Sequence, residues 1–268
     1  MYADISCNSE IEVIRKLSQE AQKQGRIHGV LLMVELGDLR EGIMPDELLH
    51  MVKELLALPH ISLEGLGTNL ACRSGVSPDM VNMQYLSNLA EIVESSFNIK
   101  LDMVSGGNSA NFKWLFDSKN NCGRINNLRL GESMLLGLET LQRQAIDGLY
   151  TDAITLVAEV IESKVKPSIP SGDIAEAAFG MVQPGIERGL IKQSILAIGI
   201  QDTDPSGLTA PVGIEIRGAS SDHLIVEADN DELLVGDEVA FQVNYSALLR
   251  SMTSPFVSKK YLPRKNFP

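Results

Sequence analysis

The sequence predicts an α/β fold in which a parallel sheet is followed by an antiparallel β domain. Four apolar stretches each run into glycine and polar residues where a strand should end: residues 30–36, 61–66, 100–104 and 126–128. Stretches with helical periodicity fill the gaps between them, and repeated strand–helix units are typical of a parallel sheet. After residue 150 the chain changes to short strands separated by Gly, Pro and Asp turns, which is typical of antiparallel β structure.

Composition narrows the classes of function. The 268 residues are 44% hydrophobic, so a large core is expected, and the net charge is −12. This charge argues against nucleic acid or an anionic membrane as the partner, and leaves a small molecule as the expected one. Three cysteines have no metal-ligand spacing, and no apolar stretch is long enough to cross a membrane. We expect free thiols, no metal site and a cytoplasmic location.

The elements of the first part, residues 1–150, follow in order. A short strand is expected at 3–6, and Asn8 or Ser9 can cap the helix that follows it. Later helices place leucines and methionines on one face, which is typical of core packing. The predicted helices span residues 9–25, 45–58 and 78–97, a stretch that begins near residue 108, and residues 132–136.

The second part, residues 151–268, is predicted to be a β domain. Its five expected strands span residues 154–165, 190–200, 212–216, 223–228 and 238–244. In the first part, five strands are too few to close the eight-stranded barrel that such strand–helix units suggest. Either the strands form an open sheet with exposed edges, or this chain is the later part of a larger barrel.

Two neighbouring strand-to-helix turns are candidates for binding an anion. Residues 105–109 read SGGNS, in which glycines let the backbone approach a ligand and Ser109 adds a hydroxyl group. Residues 129–132, RLGE, repeat this arrangement one unit later, with Arg129 as a cation. Phosphate binding is one interpretation. An ordinary helix cap beside flexible glycines, with Arg129 paired to Glu132, is the other.

Other polar residues follow strands at the same predicted edge. Arg40 suits a carboxylate or phenolate ligand, although an ion pair with Glu35 or Asp38 explains it equally well. Asn69 follows its strand and could contact a ligand. In the β domain, Asp222 and His223 stand together in a turn, which more often reflects a local hydrogen bond than a catalytic pair.

These motifs, in this order, resemble the pyridoxal-phosphate (PLP) enzymes of the alanine racemase type, fold type III. The resemblance is closest to a branch of amino-acid racemases that includes ornithine racemase. It rests on MVELGDLREG at 33–42, SGGNS at 105–109, QDTDP at 201–205 and GASSDH at 218–223. It implies a partial (β/α)8 barrel with about five of the eight units and then a β domain, usually in a homodimer that shares its sites between subunits.

The resemblance also implies roles for individual residues. Asn108, Ser109 and a backbone N–H near Gly131 would hold the cofactor phosphate, and Tyr245 would close over it. Arg129 would face the pyridine nitrogen, and Asn69 stands where alanine racemases stack a histidine on the ring. The residues implied to act on the substrate are Arg40, Ser221, Asp222 and His223, of which Arg40, Asp222 and His223 are the catalytic candidates.

The sequence departs from the family pattern in two places. The family's Schiff-base lysine precedes any segment present here, and no lysine of this chain has a matching context. On that pattern, on the order of 90 residues of barrel appear absent. The turn at 171–176, SGDIAE, lacks the tyrosine that alanine racemases use as a base.

We therefore expect a PLP-dependent racemase of ornithine or a related amino acid that is inactive as this chain alone. Two alternatives remain open. One is a non-catalytic fragment that keeps the phosphate site. The other is a fold type III aldolase or dehydratase, which would add a metal site in the β domain.

Overall fold

The chain forms two compact units, Met1–Leu149 and Tyr150–Pro268. A computed structural model describes residues 3–117, 122–177, 179, 185–229 and 233–262. Among these, no helix is long and apolar enough to cross a membrane. The same residues contain no cluster of three or more His, Cys, Asp or Glu side chains that could hold a metal ion.

The first unit is built on a parallel sheet, as predicted. Its four strands lie in the order β1-β2-β3-β4, and each pairs in parallel with the next along the chain. The elements in chain order are β1 Ile5–Asn8, α1 Ile11–Lys23, β2 His28–Met33, α2 Leu48–Leu56, β3 Ile61–Gly67, α3 Met80–Phe97, β4 Met103–Ser105, α4 Asn111–Asp117 and α5 Glu132–Leu136.

The predicted fifth strand, at 126–128, is wrong as a strand. In the described part of the chain it is reduced to one parallel bridge between Ser105 and Asn127. The two asparagines explain the difference, because their side chains accept hydrogen bonds from residues of the neighbouring strand β4. Asn126 accepts the Val104 N–H at 2.8 Å, and Asn127 accepts the Ser105 hydroxyl at 2.7 Å.

Two further details of the first unit differ from the prediction. Neither Asn8 nor Ser9 caps α1, whose N-cap is Glu10 without a side-chain bond. The Asn8 amide donates instead to the Ser6 carbonyl and hydroxyl oxygens, at 3.0 and 2.8 Å. On α3 the predicted apolar face is buried from Met83 to Val93, but Met80 at the helix start is 46% exposed.

Helices α1, α2 and α3 pack their apolar faces against the sheet. All six residues of β2 are buried, so this strand forms the centre of the core. Around it the buried cluster includes Ile14 from α1, Val52 from α2 and Leu86 from α3. This packing fixes the carboxyl ends of the strands, where parallel sheets bind ligands.

The second unit is an antiparallel sheet of six strands, which confirms the predicted β domain. The strand order is β7-β10-β5-β6-β9-β8. The elements are β5 Thr155–Pro167, β6 Leu190–Leu196, β7 Leu208–Thr209, β8 Ile214–Ala219, β9 Leu224–Ala228, β10 Glu238–Val243 and α6 Tyr245–Thr253. Residues Leu156, Ala158 and Val160 of β5 are buried and alternate with exposed ones, as expected for a sheet with one covered face.

The prediction missed helix α6. Its first turn begins with a common N-cap residue, Asn244, whose side chain accepts the Ala247 N–H at 2.9 Å. The carboxylate of Asp204 adds a bond from the Ser246 hydroxyl. The QDTDP motif at 201–205 therefore holds the first turn of α6, which begins at Tyr245.

Candidate active site

The loops that follow the strands of the first unit meet at one edge of its sheet. Four loops contribute: those after β2, β3 and β4, and the one after the Ser105–Asn127 bridge. The predicted site residues of this unit all lie on these loops: Arg40, Asn69, Asn108, Ser109, Arg129 and Gly131.

Asn69 and Asn108 lie side by side. The Asn108 amide donates to the Asn69 side-chain oxygen at 2.9 Å and to the Leu70 carbonyl at 2.7 Å. Asn69 is only 7% exposed, yet its amide nitrogen has no partner in the described part of the chain. Buried donors are almost always satisfied in native proteins, so this one points to a ligand acceptor.

Three hydrogen-bond donors converge on the buried hydroxyl oxygen of Ser109. They are the N–H groups of Gly131 and Ser133, at 3.1 and 3.2 Å, and the Ser133 hydroxyl at 3.1 Å. A hydroxyl oxygen has only two lone pairs, whereas a phosphate group can accept all three donors and more. Ser133 was missed by the sequence reasoning, although it follows Gly131 closely in the same turn.

The glycine turn before Ser109 is held by Asn111. The Asn111 side chain accepts the Asn108 N–H at 3.1 Å and donates to the Gly106 carbonyl at 2.9 Å. Gly107 has φ +143°, and a Cβ there would lie 2.2 Å from the Asn111 side-chain oxygen. Glycine is therefore required at 107, and the turn that presents Asn108 and Ser109 is rigid.

Arg129 is a half-buried cation held by neutral groups. Its guanidinium donates to the Ser105 hydroxyl at 2.6 Å and to the Thr68 carbonyl at 2.7 Å. Within the described residues it makes no ion pair with a carboxylate, since Glu132 pairs with Arg143 instead. Burial lowers the pKa of Arg129, and the nearby Arg40 charge acts in the same direction. The interpretation of Arg129 as a local partner of Glu132 is therefore wrong.

Arg40 is paired, but not with the residues considered from the sequence. Its guanidinium contacts both carboxylate oxygens of Glu41 and the sulfur of Cys72. Pairing with Glu41 raises the pKa of Arg40. The Arg40 side chain is 43% exposed, so the cation remains accessible to a ligand.

Asp38 fixes the loop that carries Arg40. It is fully buried and accepts the backbone N–H groups of Cys72, Arg73 and Ser74 at 2.8–3.2 Å. Burial raises the pKa of this carboxyl, but these N–H groups outweigh burial and hold its pKa below the usual value. Leu39, with φ +56°, is held in the left-handed region between Asp38 and Arg40. The loops after β2 and β3 therefore form one pre-organised structure.

The remaining predicted residues lie in the second unit. The Ser221 hydroxyl donates to Asp222 at 3.0 Å, and His223 Nδ1 lies 3.5 Å from the same carboxylate oxygen. The Asp222 and His223 side chains are 56% and 42% exposed. Tyr245 is the first residue of α6 and is 42% exposed. Within this unit the three residues at 221–223 form a local turn network.

Comparison with known proteins identifies the family. The family described as alanine racemase, N-terminal domain, matches residues 4–139. An ornithine racemase from Acetoanaerobium sticklandii is 42% identical over 266 residues, which cover 97% of this chain and 75% of that protein. The chain belongs to the alanine racemase family. A lysine racemase from Thermotoga maritima is 36% identical over 258 residues, covering 95% of this chain and 72% of that one.

Solved structures confirm the fold class. An alanine racemase from Streptomyces lavendulae superposes with a TM-score of 0.66 at 16% identity, covering 90% of this chain and 63% of that one. A D-threonine aldolase from Filomicrobium marinum gives 0.63 at 17% identity, covering 91% and 62%. The chain thus spans less than two thirds of the length of these structures. Because a racemase and an aldolase share the fold, the fold alone does not choose between the two reactions.

Proposed function

We propose that this chain supplies the cofactor site and the β domain of a PLP-dependent racemase that acts on a basic amino acid, with ornithine as the first candidate. The observation that carries the proposal is the half-buried Arg129, which has no carboxylate partner among the described residues and lies one turn from the donors around Ser109. The ornithine and lysine racemase relatives support the substrate class.

The first unit fits PLP in the chemistry of its donors. Gly131 N–H and both donors of Ser133 would hold the phosphate with Ser109. The Asn69 amide nitrogen, which has no partner among the described residues, would donate a hydrogen bond to the phenolate oxygen of the ring. PLP, when bound, withdraws electrons from the α-carbon of an amino acid and so acidifies its α-proton.

Arg129 would set the protonation of the pyridine nitrogen. A guanidinium beside that nitrogen cannot accept a proton and repels one, so the nitrogen stays unprotonated. This limits electron withdrawal and favours racemisation over side reactions. Arg40 would bind the substrate carboxylate through the same two N–H groups that now contact Glu41.

Racemisation requires one base on each face of the α-carbon. Asp222 and His223 of the β domain are the candidates for one base, Ser221 would contact the substrate, and Tyr245 would close over the phosphate. The other base is a lysine amine in this family, and no described lysine lies on the four loops that meet at the edge of the sheet. The described lysines of the first unit lie on helices or before β4: Lys16, Lys23, Lys53, Lys100 and Lys113. We expect the chain alone to bind PLP without racemising amino acids.

The amine can be restored in a chimera. In it, this chain replaces the matching 75% of the Acetoanaerobium sticklandii ornithine racemase, and the remaining quarter comes from that relative. We also infer a cytoplasmic homodimer for the complete enzyme. An aldolase or dehydratase and a non-catalytic PLP-binding protein are the alternative functions, and the chimera separates them from a racemase.

Cofactor binding by the chain itself tests the proposed site. A calorimetric titration of the chain with PLP is expected to show one saturable site per chain. Pyridoxal, which lacks the phosphate, should bind at least about tenfold more weakly, because it loses charge-assisted hydrogen bonds to the donors around Ser109. A folded chain with no saturable PLP binding, or with equal affinities for the two compounds, would refute the site.

A further inference from the structure

A cavity of about 290 Å³ opens beside Arg40, at the carboxyl ends of β1 and β2. Its lining includes Cys7 from β1 and Met33 from β2, together with the acidic residues Glu10 and Glu41. No lysine or arginine is among the described residues that line it. The lining therefore combines two acidic residues and the neutral polar Asn8 and Ser9 with the apolar Val13 and Met33, which suits a ligand with a cationic end and a methylene chain.

The cavity adjoins the proposed cofactor site. Met33, which lines the cavity, pairs with Gly67 of β3, and Gly67 pairs with Ser105 of β4. The Ser105 hydroxyl accepts a hydrogen bond from Arg129. A molecule that reaches from Arg40 into the cavity would therefore lie at the same edge of the sheet as Arg129, two strands away. No residue of the second unit is needed for this placement.

Among the described residues, the carboxylate of Glu41 is paired with Arg40 alone, so an anion that displaces it from Arg40 removes this partner. The two side chains form a pair of which Arg40 is 43% and Glu41 31% exposed. Ion pairs with this degree of exposure contribute little to stability, so exchange for a ligand costs little. An amino acid whose carboxylate takes Arg40 leaves Glu41 as a partly buried charge without a partner. A diamino acid supplies a second charge that restores a partner to Glu41.

We propose that Glu41 selects the side-chain ammonium group of a diamino acid. The substrate carboxylate displaces Glu41 from Arg40, and Glu41 then binds the distal ammonium within the cavity. Glu10 adds a second negative charge, and Met33 and Val13 contact the methylene chain. This inference rests on the proposed function, in which Arg40 binds the substrate carboxylate. It makes Glu41 a determinant of specificity and assigns it no proton transfer.

The test compares two ligands of the same length. L-ornithine and L-norvaline share the carboxylate, the α-amino group and the carbon chain, and only ornithine carries the distal ammonium. Their dissociation constants for the 268-residue chain are measured by calorimetry without PLP. We expect ornithine to bind at least about tenfold more tightly, the factor typical of one hydrogen bond to a charged group.

Three variants assign that difference to Glu41. Glu41→Gln should reduce the ratio of the two affinities to within about twofold, with norvaline binding retained because Arg40 becomes free. Glu41→Asp keeps the charge and should restore part of the ratio. Glu12→Gln, which removes the exposed partner of Arg15 on α1, should leave the ratio unchanged.

The outcomes separate this inference from the proposed function. A ratio near one in the unmodified chain, no binding of either amino acid, or an unchanged ratio in Glu41→Gln would overturn the role of Glu41. If PLP binds as expected in those cases, the cofactor site stands without the specificity determinant. If PLP fails to bind while Glu41→Gln still removes the preference for ornithine, the proposed cofactor site fails by itself.

Discussion

Arg129→Glu is expected to reduce racemisation by the chimera on the order of 100-fold, the effect typical of removing one pre-organised electrostatic group. In the proposed site the guanidinium of Arg129 keeps the pyridine nitrogen unprotonated, whereas a carboxylate at position 129 would hold a proton on it. Electron withdrawal would then increase, and transamination should rise as racemisation falls. Chiral chromatography of ornithine and the yield of pyridoxamine phosphate measure the two reactions.

Two further variants control for a purely structural role of Arg129. Arg129→Ala removes the bonds to Ser105 and Thr68 without adding a carboxylate, so it should lose activity and cofactor affinity but not raise transamination. Arg143→Ala removes an exposed cation that pairs with Glu132, and should leave both reactions unchanged. If both Arg129 variants only lower the melting temperature, and the ratio of transamination to racemisation is unaltered, Arg129 does not face the nitrogen.

Gly65→Ala is expected to destabilise the first unit severely. Gly65 lies on β3 opposite Met103 of β4. A Cβ at this position would lie 1.8 Å from the Met103 carbonyl oxygen, and that backbone atom can move only if the strand moves. Overpacking typically costs about 1–3 kcal/mol, and because the clash here is with a backbone atom we expect a loss of about 3 kcal/mol. Urea unfolding of the chain measures the loss.

Gly218→Ala is the matched control for this prediction. Gly218 also lies on a strand, β8, but a Cβ there meets no atom within 4 Å. We expect a change in the free energy of unfolding of less than about 1 kcal/mol, since only the strand propensity differs. Equal effects of the two substitutions would show that the contact between β3 and β4 is not as close as the structure has it.

Much of the fold could be predicted from the sequence because its signals are local. Three of the four apolar stretches that end in glycine and polar residues are strands followed by a loop of the site, and the short strands predicted after residue 150 form an antiparallel sheet. The failures arose where side chains compete with the backbone. The Asn126 side chain accepts the Val104 N–H in place of a backbone carbonyl, and the fifth strand is reduced to the bridge between Ser105 and Asn127. Asn8 bonds backward to Ser6 and leaves α1 uncapped.

The candidate site was only partly predictable, because its groups come from distant parts of the chain. Arg129 depends on Thr68, which lies 61 residues away and belongs to another loop. Asp38 binds N–H groups 34–36 residues further along the chain. Single-residue patterns carry no information about such contacts. The Arg40–Glu41 pair could have been predicted, because the two residues are adjacent in the sequence.

Racemisation of L-ornithine by the chimera tests the central claim most directly. The chimera, supplied with PLP, is expected to convert L-ornithine to the D,L mixture at an enzymatic rate, while the 268-residue chain alone gives none. Chiral chromatography against time measures both. A folded chimera that binds PLP but racemises neither ornithine nor lysine would contradict the account, and cleavage or dehydration of the substrate by that chimera would establish an alternative reaction. Turnover of L-ornithine by the chain alone would show that one of its own lysines supplies the amine.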